Sequence, residues 1–166
     1  MLAEYYLGNR TRLYEKLTAG SLVAVFAGEN TWKTGDEDYM FFADRNFVYL
    51  TGLKTSRQAV LLAAKEADGS VHEQVYILPS DAYAERWTGA RVKPQEAQEI
   101  SGINDIRFVD AFERDFKALA VSGRYEKFIL ICIALQQIVQ IVLHTVYYSV
   151  FRVIFHIFIS EMPMCS

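Results

Sequence analysis

The chain has 166 residues, which is enough for one domain with a sizeable hydrophobic core. Its net charge of −3 argues against a nucleic-acid partner, and residues 1–6 lack the basic and apolar regions of a secretory signal. The two cysteines, Cys132 and Cys165, form no disulfide or metal-binding pattern, so we expect free thiols in a reducing, cytoplasmic setting.

The first half of the chain is predicted to contain one helix and four strands. A helix is expected over residues 9–19, where Leu13 and Leu17 recur at helical spacing. The polar segment 29–38 is predicted to be a loop. Short apolar runs predict strands over residues 22–26, 47–50, 59–64 and 74–78.

The second half is predicted to alternate helices with a strand. Helices are expected over residues 80–87, 94–100 and 111–120, and a strand over 106–109. Asp68-Gly69 favours a tight turn between the third and fourth predicted strands. The order of elements therefore predicts an α/β domain with a mixed β-sheet flanked by helices.

Two segments carry a family resemblance. The first is an acidic turn followed by an aromatic strand-like run that ends on Gly52, and the second is a Trp-x-Gly-x-Arg segment. The matching residues are Asp36 or Asp38, Tyr39, Phe41, Phe47, Tyr49, Thr51, Gly52, Trp87, Gly89 and Arg91. Over residues 5–127 the chain resembles the N-terminal domain of aminopeptidase P, the Xaa-Pro aminopeptidases of the creatinase/prolidase group. Phe42 stands where the family pattern has a basic residue.

The resemblance implies that this domain functions together with a separate catalytic domain. Enzymes of this family remove an N-terminal residue that precedes proline, and their C-terminal domain binds two metal ions, usually manganese. Their N-terminal domain helps the subunits assemble and narrows access to the active site. We expect no catalytic residue, metal ligand or cofactor in the present chain and no peptidase activity from it alone; peptide substrate would require the catalytic domain.

Four residues are candidates for contacts with substrate or a partner subunit: Trp87, Arg91, Asp38 and Tyr39. Trp and Arg dominate binding hot spots. The alternative is that Trp87 packs under its own helix while Arg91 lies in solvent. Asp36, Glu37 and Asp38 offer oxygen ligands, but their spacing favours a solvated turn over a cation site. Tyr39, Phe41, Phe47 and Tyr49 are predicted to be mainly core residues and strand pairs.

The chain changes character after Lys127, because Arg152 and Glu161 are the only charged residues beyond it. Residues 128–151 are long and apolar enough to be a membrane span, which would make the chain a membrane-tethered binding module. Gln136, Gln137, Gln140 and His144 weaken that interpretation, since polar groups are costly in lipid.

A frameshift is the other explanation of the tail. One choice of codons for residues 128–134, read two bases further in, encodes Tyr-Leu-Asp-Leu-Tyr-Arg, a strand similar to the family's. We therefore expect residues 1–127 to form the aminopeptidase P-like domain, 128–134 to add a possible strand to its sheet, and 135–166 to be an apolar tail outside the native domain.

Overall fold

The computed structural model describes residues 2–30, 32–35 and 37–131. Its helices are α1 (Leu2–Lys16), α2 (Arg45–Thr51), α3 (Ala82–Thr88), α4 (Pro94–Ser101) and α5 (Phe112–Val121). Its strands are β1 (Ser21–Phe26), β2 (Trp32–Thr34), β3 (Glu37–Asp38), β4 (Val60–Lys65), β5 (Val71–Ile77), β6 (Ile106–Phe108) and β7 (Lys127–Ile131).

Five strands form one mixed sheet in the order β6-β5-β4-β1-β7. The β1–β4 and β4–β5 pairs are antiparallel, whereas β5–β6 and β1–β7 are parallel. The short strands β2 and β3 form a separate antiparallel hairpin. The predicted mixed α/β class is confirmed. The β4–β5 hairpin closes through the predicted Asp68-Gly69 turn, where Gly69 has a φ of +87°.

The sheet is buried on both faces because its strands carry apolar side chains in both directions. In β1, Val23 and Val25 belong to one core, while Leu22 and Ala24 belong to the other. Helices α1, α2 and α4 cover the first core through Leu13, Phe47, Leu50 and Ala97, and α5 covers the second through Phe112 and Phe116. Strands that are buried on both sides read as continuous apolar runs, which is how β1 and β4 were predicted.

The predicted strand at 47–50 is wrong, because these residues form the middle of α2. Asp44 caps the helix by accepting hydrogen bonds from the amides of Asn46 and Phe47, at 2.8 and 3.2 Å. Gly52 ends it with a φ of +78° and donates its amide to Val48. Phe47, Leu50 and Thr51 are the buried residues, which is a helical spacing. The aromatic and β-branched composition therefore pointed to the wrong element.

Several other boundaries also differ from the predictions, and two of these differences are large. Helix α1 begins at Leu2, seven residues before the predicted start at Asn9. The predicted loop at 29–38 contains the β2–β3 hairpin, with Gly35 at a φ of +53° in its turn.

The start of the apolar tail adds a strand to the sheet, since Lys127–Ile131 pair with β1 as an edge strand. The remainder of the candidate membrane span lies outside the described residues.

A buried polar cluster holds α1 against the rest of the first core. The Arg10 side chain is fully buried and donates to both carboxylate oxygens of Glu73, at 2.8 and 3.2 Å. It also donates to the carbonyls of Leu50 and Ser101, both at 2.9 Å. Tyr14 donates to Glu73 at 2.7 Å, and burial together with the Glu73 charge raises the pKa of Tyr14. This Arg10 cluster fixes α1 to α2, α4 and β5.

Candidate functional site

Helix α3 presents large aromatic side chains to solvent. Asp81 caps it by accepting hydrogen bonds from the amides of Tyr83 and Ala84, at 3.0 and 3.1 Å. These bonds lower the pKa of the Asp81 carboxyl. Trp87 is 78 % exposed and Tyr83 is 73 % exposed. The sequence alternative in which Trp87 packs under its own helix is therefore wrong.

The turn after α3 brings Arg91 back toward the helix start. Gly89 ends the helix with a φ of +84°, a conformation that favours glycine. Arg91 is half-buried and its Nη1 donates to the carbonyl of Pro79 at 2.5 Å. The alternative that leaves the Arg91 side chain in solvent is also wrong, because one edge of the guanidinium is fixed to the backbone that precedes α3.

Arg57 connects this region to the segment after β3, and the sequence analysis did not identify it. Its Nη2 donates to the carbonyl of Thr88 at 3.3 Å. Its guanidinium carbon lies 5.9 Å from the centre of the Phe41 ring. The group formed by Tyr83, Trp87, Arg91, Arg57 and Phe41 is called the α3 face below. Only a three-dimensional contact distinguishes Arg57 from the chain's other arginines, so the sequence offered no signal for it.

The other two candidates, Asp38 and Tyr39, lie at the end of the β2–β3 hairpin, two or three residues before Phe41. The Tyr39 ring is 56 % exposed, and the Lys33 ammonium lies 6.0 Å from its centre. Asp38 belongs to β3, where it pairs with Trp32 through the backbone. Phe41 and Arg57 therefore connect the two groups of candidates along one side of the molecule.

The prediction that the aromatic residues of this segment are mainly core residues holds for only part of the set. Phe47 is fully buried and Phe41 packs against the first core. Tyr39 and Tyr49, however, are 56 and 47 % exposed. Because residues 45–51 are helical, Phe47 and Tyr49 point in different directions, and only Phe47 faces the sheet.

An open aromatic groove lies between the first turns of α1 and α2 and includes Phe42, the chain neighbour of Phe41. It has a volume of about 560 Å³, and its aromatic side chains are Tyr5, Tyr6, Phe42 and Tyr49. Phe42 is 79 % exposed. Arg45 and Lys54 also line the groove, and neither forms an ion pair with the described residues. Phe42, at the position where the family pattern has a basic residue, thus adds apolar surface.

The described residues contain no group of three or more His, Cys, Asp or Glu side chains that could hold a metal ion. A dinuclear metal centre needs several such ligands around each ion. The donors within 2–30, 32–35 and 37–131 therefore do not fit the manganese ions of the family, and Asp36 of the acidic turn lies outside those ranges. In the same part of the chain, no helix is both long and apolar enough to cross a membrane.

A mixed sheet with helices on both faces and a solvent-facing aromatic side define a mixed α/β domain. The model of the aminopeptidase P N-terminal domain matches residues 6–128. The chain belongs to this family, as the sequence resemblance predicted.

Individual relatives agree with the family match. The chain is 30 % identical over 95 residues to an Xaa-Pro aminopeptidase of Escherichia coli, a match that covers 57 % of this chain and 21 % of the relative. It is 32 % identical over 100 residues to Xaa-Pro aminopeptidase 1 of Streptomyces coelicolor, covering 53 % of this chain and 20 % of the relative. The chain thus spans about a fifth of the length of these relatives.

Solved structures show the same fold. Proline aminopeptidase P II from Yersinia pestis superposes with a TM-score of 0.76 at 22 % identity, covering 89 % of this chain and 33 % of that one. Aminopeptidase P from E. coli, solved with the inhibitor Pro-Leu, superposes with a TM-score of 0.75 at 20 % identity, covering 89 % of this chain and 33 % of that one.

Proposed function

We propose that this chain acts as the non-catalytic N-terminal domain of an Xaa-Pro aminopeptidase-like metallopeptidase, whose metal-binding catalytic domain is a different part of the enzyme. Its role is to help the enzyme's subunits assemble and to narrow the entrance to the active site. The observation that supports this most strongly is the α3 face, where Trp87 and Tyr83 are more than 70 % exposed beside two arginines.

Exposed side chains of this kind are typical of a binding surface. Single exposed apolar residues are common, but adjoining large aromatics with arginine are the composition of interface hot spots. The fold does not require Trp87 or Tyr83 for its own core, because neither belongs to the two buried clusters. We infer that another polypeptide covers these rings.

The same surface would control access to an active site. A domain docked through the α3 face would place exposed Trp87 beside the entrance that it narrows. A narrow entrance admits the end of a short peptide and excludes a folded protein. The reaction itself would require the catalytic domain, whose manganese ions would activate the water that attacks the peptide bond.

A chimeric enzyme tests the assembly role. Residues 2–131 would replace the matching N-terminal domain of the E. coli Xaa-Pro aminopeptidase, and both the oligomeric state and the cleavage of Xaa-Pro peptides would be measured. We expect the chimera to assemble, and we expect Trp87→Ala to lower assembly and to relax the discrimination between short and long peptides. An assembled chimera that Trp87→Ala leaves unchanged would contradict the proposal.

An activity assay tests the non-catalytic role separately. The full chain would be incubated with an Xaa-Pro peptide and Mn²⁺, with the E. coli enzyme as the positive control. We expect no release of the N-terminal residue. Turnover that disappears on chelation would show that this chain holds its own catalytic metal, and the proposal would fail.

A further inference from the structure

The α3 face contains a small polar pocket at which two donors, the Ser56 hydroxyl and the Arg91 Nε–H, lack protein acceptors. Ser56, Arg57, Thr88 and Arg91 line it, and its volume is about 20 Å³. Ser56 is 8 % exposed, and its hydroxyl has no hydrogen-bond partner among the described residues. The Nε of Arg91 is buried and equally without a partner there. Buried polar groups are nearly always hydrogen-bonded, so these two groups are available to an acceptor from outside the described residues.

The orientation of Arg91 indicates what kind of ligand fits. Its Nη1 is occupied by the Pro79 carbonyl, whereas its Nε–Nη2 edge makes no hydrogen bond to the described residues. That edge carries two parallel N–H groups, and arginine uses such a pair to bind a carboxylate. The serine hydroxyl can donate a further hydrogen bond to the same group.

The charges at the pocket favour an anion. Neither Arg57 nor Arg91 forms an ion pair with the described residues, so two positive charges line one small space. Asp81 interacts electrostatically with Arg91, but its carboxylate accepts hydrogen bonds from the backbone amides of α3. Two guanidinium groups and one nearby carboxylate therefore leave a net positive charge beside the unpaired donors.

The size of the pocket limits the choice of anion. About 15 Å³ is enough for one water-sized group, so a volume of about 20 Å³ admits one oxygen of an anion, which favours a small, flat carboxylate over a bulkier tetrahedral phosphate. We propose that Ser56, Arg57 and Arg91 bind one carboxylate group, and that an Asp or Glu side chain of the docked polypeptide supplies it. The second part rests on the proposed function, because Arg57 and Arg91 belong both to the pocket and to the α3 face.

The full chain and simple anions test the pocket itself. Sodium acetate, sodium phosphate and sodium chloride would be compared at equal ionic strength, following the Arg91 Nε–H resonance by NMR. We expect a saturable shift with acetate only, and binding about tenfold weaker in Ser56→Ala, which loses one charge-assisted hydrogen bond. Ser80→Ala is the matched control, since Ser80 is exposed and lies outside the pocket, and it should bind acetate normally.

Three results would overturn the carboxylate assignment. They are equal responses to acetate and chloride, tighter binding of phosphate than of acetate, and unchanged acetate binding in Ser56→Ala. Removing an unpaired buried hydroxyl does not remove a protein contact, so Ser56→Ala should fold. Arg91→Lys provides a second variant, because lysine keeps the charge and loses the paired N–H edge.

The chimeric enzyme then tests the source of the carboxylate. We expect Ser56→Ala and Arg91→Lys to weaken assembly of the chimera, and excess acetate to compete with it. If acetate binds the full chain but neither variant affects an assembled chimera, the docked side chain is not the ligand. A chimera that fails to assemble in every form counts against the proposed function, whereas the acetate titration of the full chain still decides the pocket.

Discussion

Charged side chains are usually exposed and large aromatic side chains are usually buried, but the Arg10 cluster buries a charge and the α3 face exposes aromatic rings. In the first, a fully buried arginine is surrounded by acceptors, with Glu73, Leu50 and Ser101 all at 2.8–3.2 Å. In the second, Trp87 and Tyr83 are left in solvent. A buried charge that is completely paired stabilises the fold itself, whereas exposed rings beside arginines without an ion pair among the described residues have the composition of a binding surface. Stability and binding measurements should therefore separate the two regions.

The largest difference in the loss of unfolding free energy is expected between two aromatic substitutions. Phe47→Ala removes a fully buried ring from the first core, and such truncations cost about 3–5 kcal/mol. Trp87→Ala removes a larger side chain that is 78 % exposed, and we expect a change within about 0.5 kcal/mol. Urea unfolding of the full chain would compare them. A large loss of stability in Trp87→Ala would show that the ring supports the fold.

A slightly smaller difference in the loss of unfolding free energy is expected between two arginine substitutions. Arg10→Leu leaves two buried carbonyls without their donor and Glu73 with only its Tyr14 hydrogen bond, and breaking a buried pair in this way costs about 3 kcal/mol or more. Arg86→Leu, on the exposed surface of α3, is the matched control and should stay within about 0.5 kcal/mol. Equal unfolding midpoints for the two variants would mean that the Arg10 cluster does not hold α1.

A smaller effect is expected at the start of α2, the helix that bears the Leu50 carbonyl of the Arg10 cluster. Asp44→Ala removes the cap of the Asn46 and Phe47 amides, which costs about 1 kcal/mol. Asp44→Asn is the control, because asparagine is an equally good cap. Urea unfolding should place Asp44→Asn close to the wild type and Asp44→Ala clearly below it.

The smallest effect concerns pH at the α3 face. The amides of Ala84 and Tyr83 lower the pKa of Asp81 in the folded chain, so the cap stabilises α3 fully above the unfolded-state pKa of about 3.9. That contribution is lost as the pH falls through the lower, folded pKa. We expect faster amide exchange at Tyr83 and Ala84, relative to intrinsic rates, in acid than at neutral pH. Asp81→Asn should remove the dependence, and its persistence there would exclude Asp81 as the cause.

The sequence was most informative where local patterns and tertiary packing agree. The apolar runs at β1, β4 and β5 predicted strands because both faces of the sheet are buried. The apolar run at 47–50 predicted a strand where the structure has a helix. Its alternating aromatic residues suit a strand, but Asp44 and Gly52 flank it as helix start and stop signals, and these signals were decisive.

The candidate site was predictable only in part. The Trp-x-Gly-x-Arg resemblance identified Trp87 and Arg91, although it could not show that one is exposed and the other half-buried. Arg57 and Ser56 lie in a loop with no recognisable motif, and their role depends on contacts with residues more than thirty positions away. Long-range packing of this kind cannot be predicted from the periodicity of apolar residues or from the spacing of motifs. The assignment of Trp87, Arg91, Asp38 and Tyr39 to partner or substrate contacts therefore stays a prediction.

The most direct test of the account is calorimetric binding of the full chain to the catalytic portion of the E. coli Xaa-Pro aminopeptidase, with wild-type sequence and with Trp87→Ala. The account predicts measurable binding that falls at least about tenfold in the variant, as expected for a hot-spot tryptophan, with unfolding midpoints unchanged. Absence of binding, or equal affinity for both chains, would contradict the claim that the α3 face is where a catalytic partner docks.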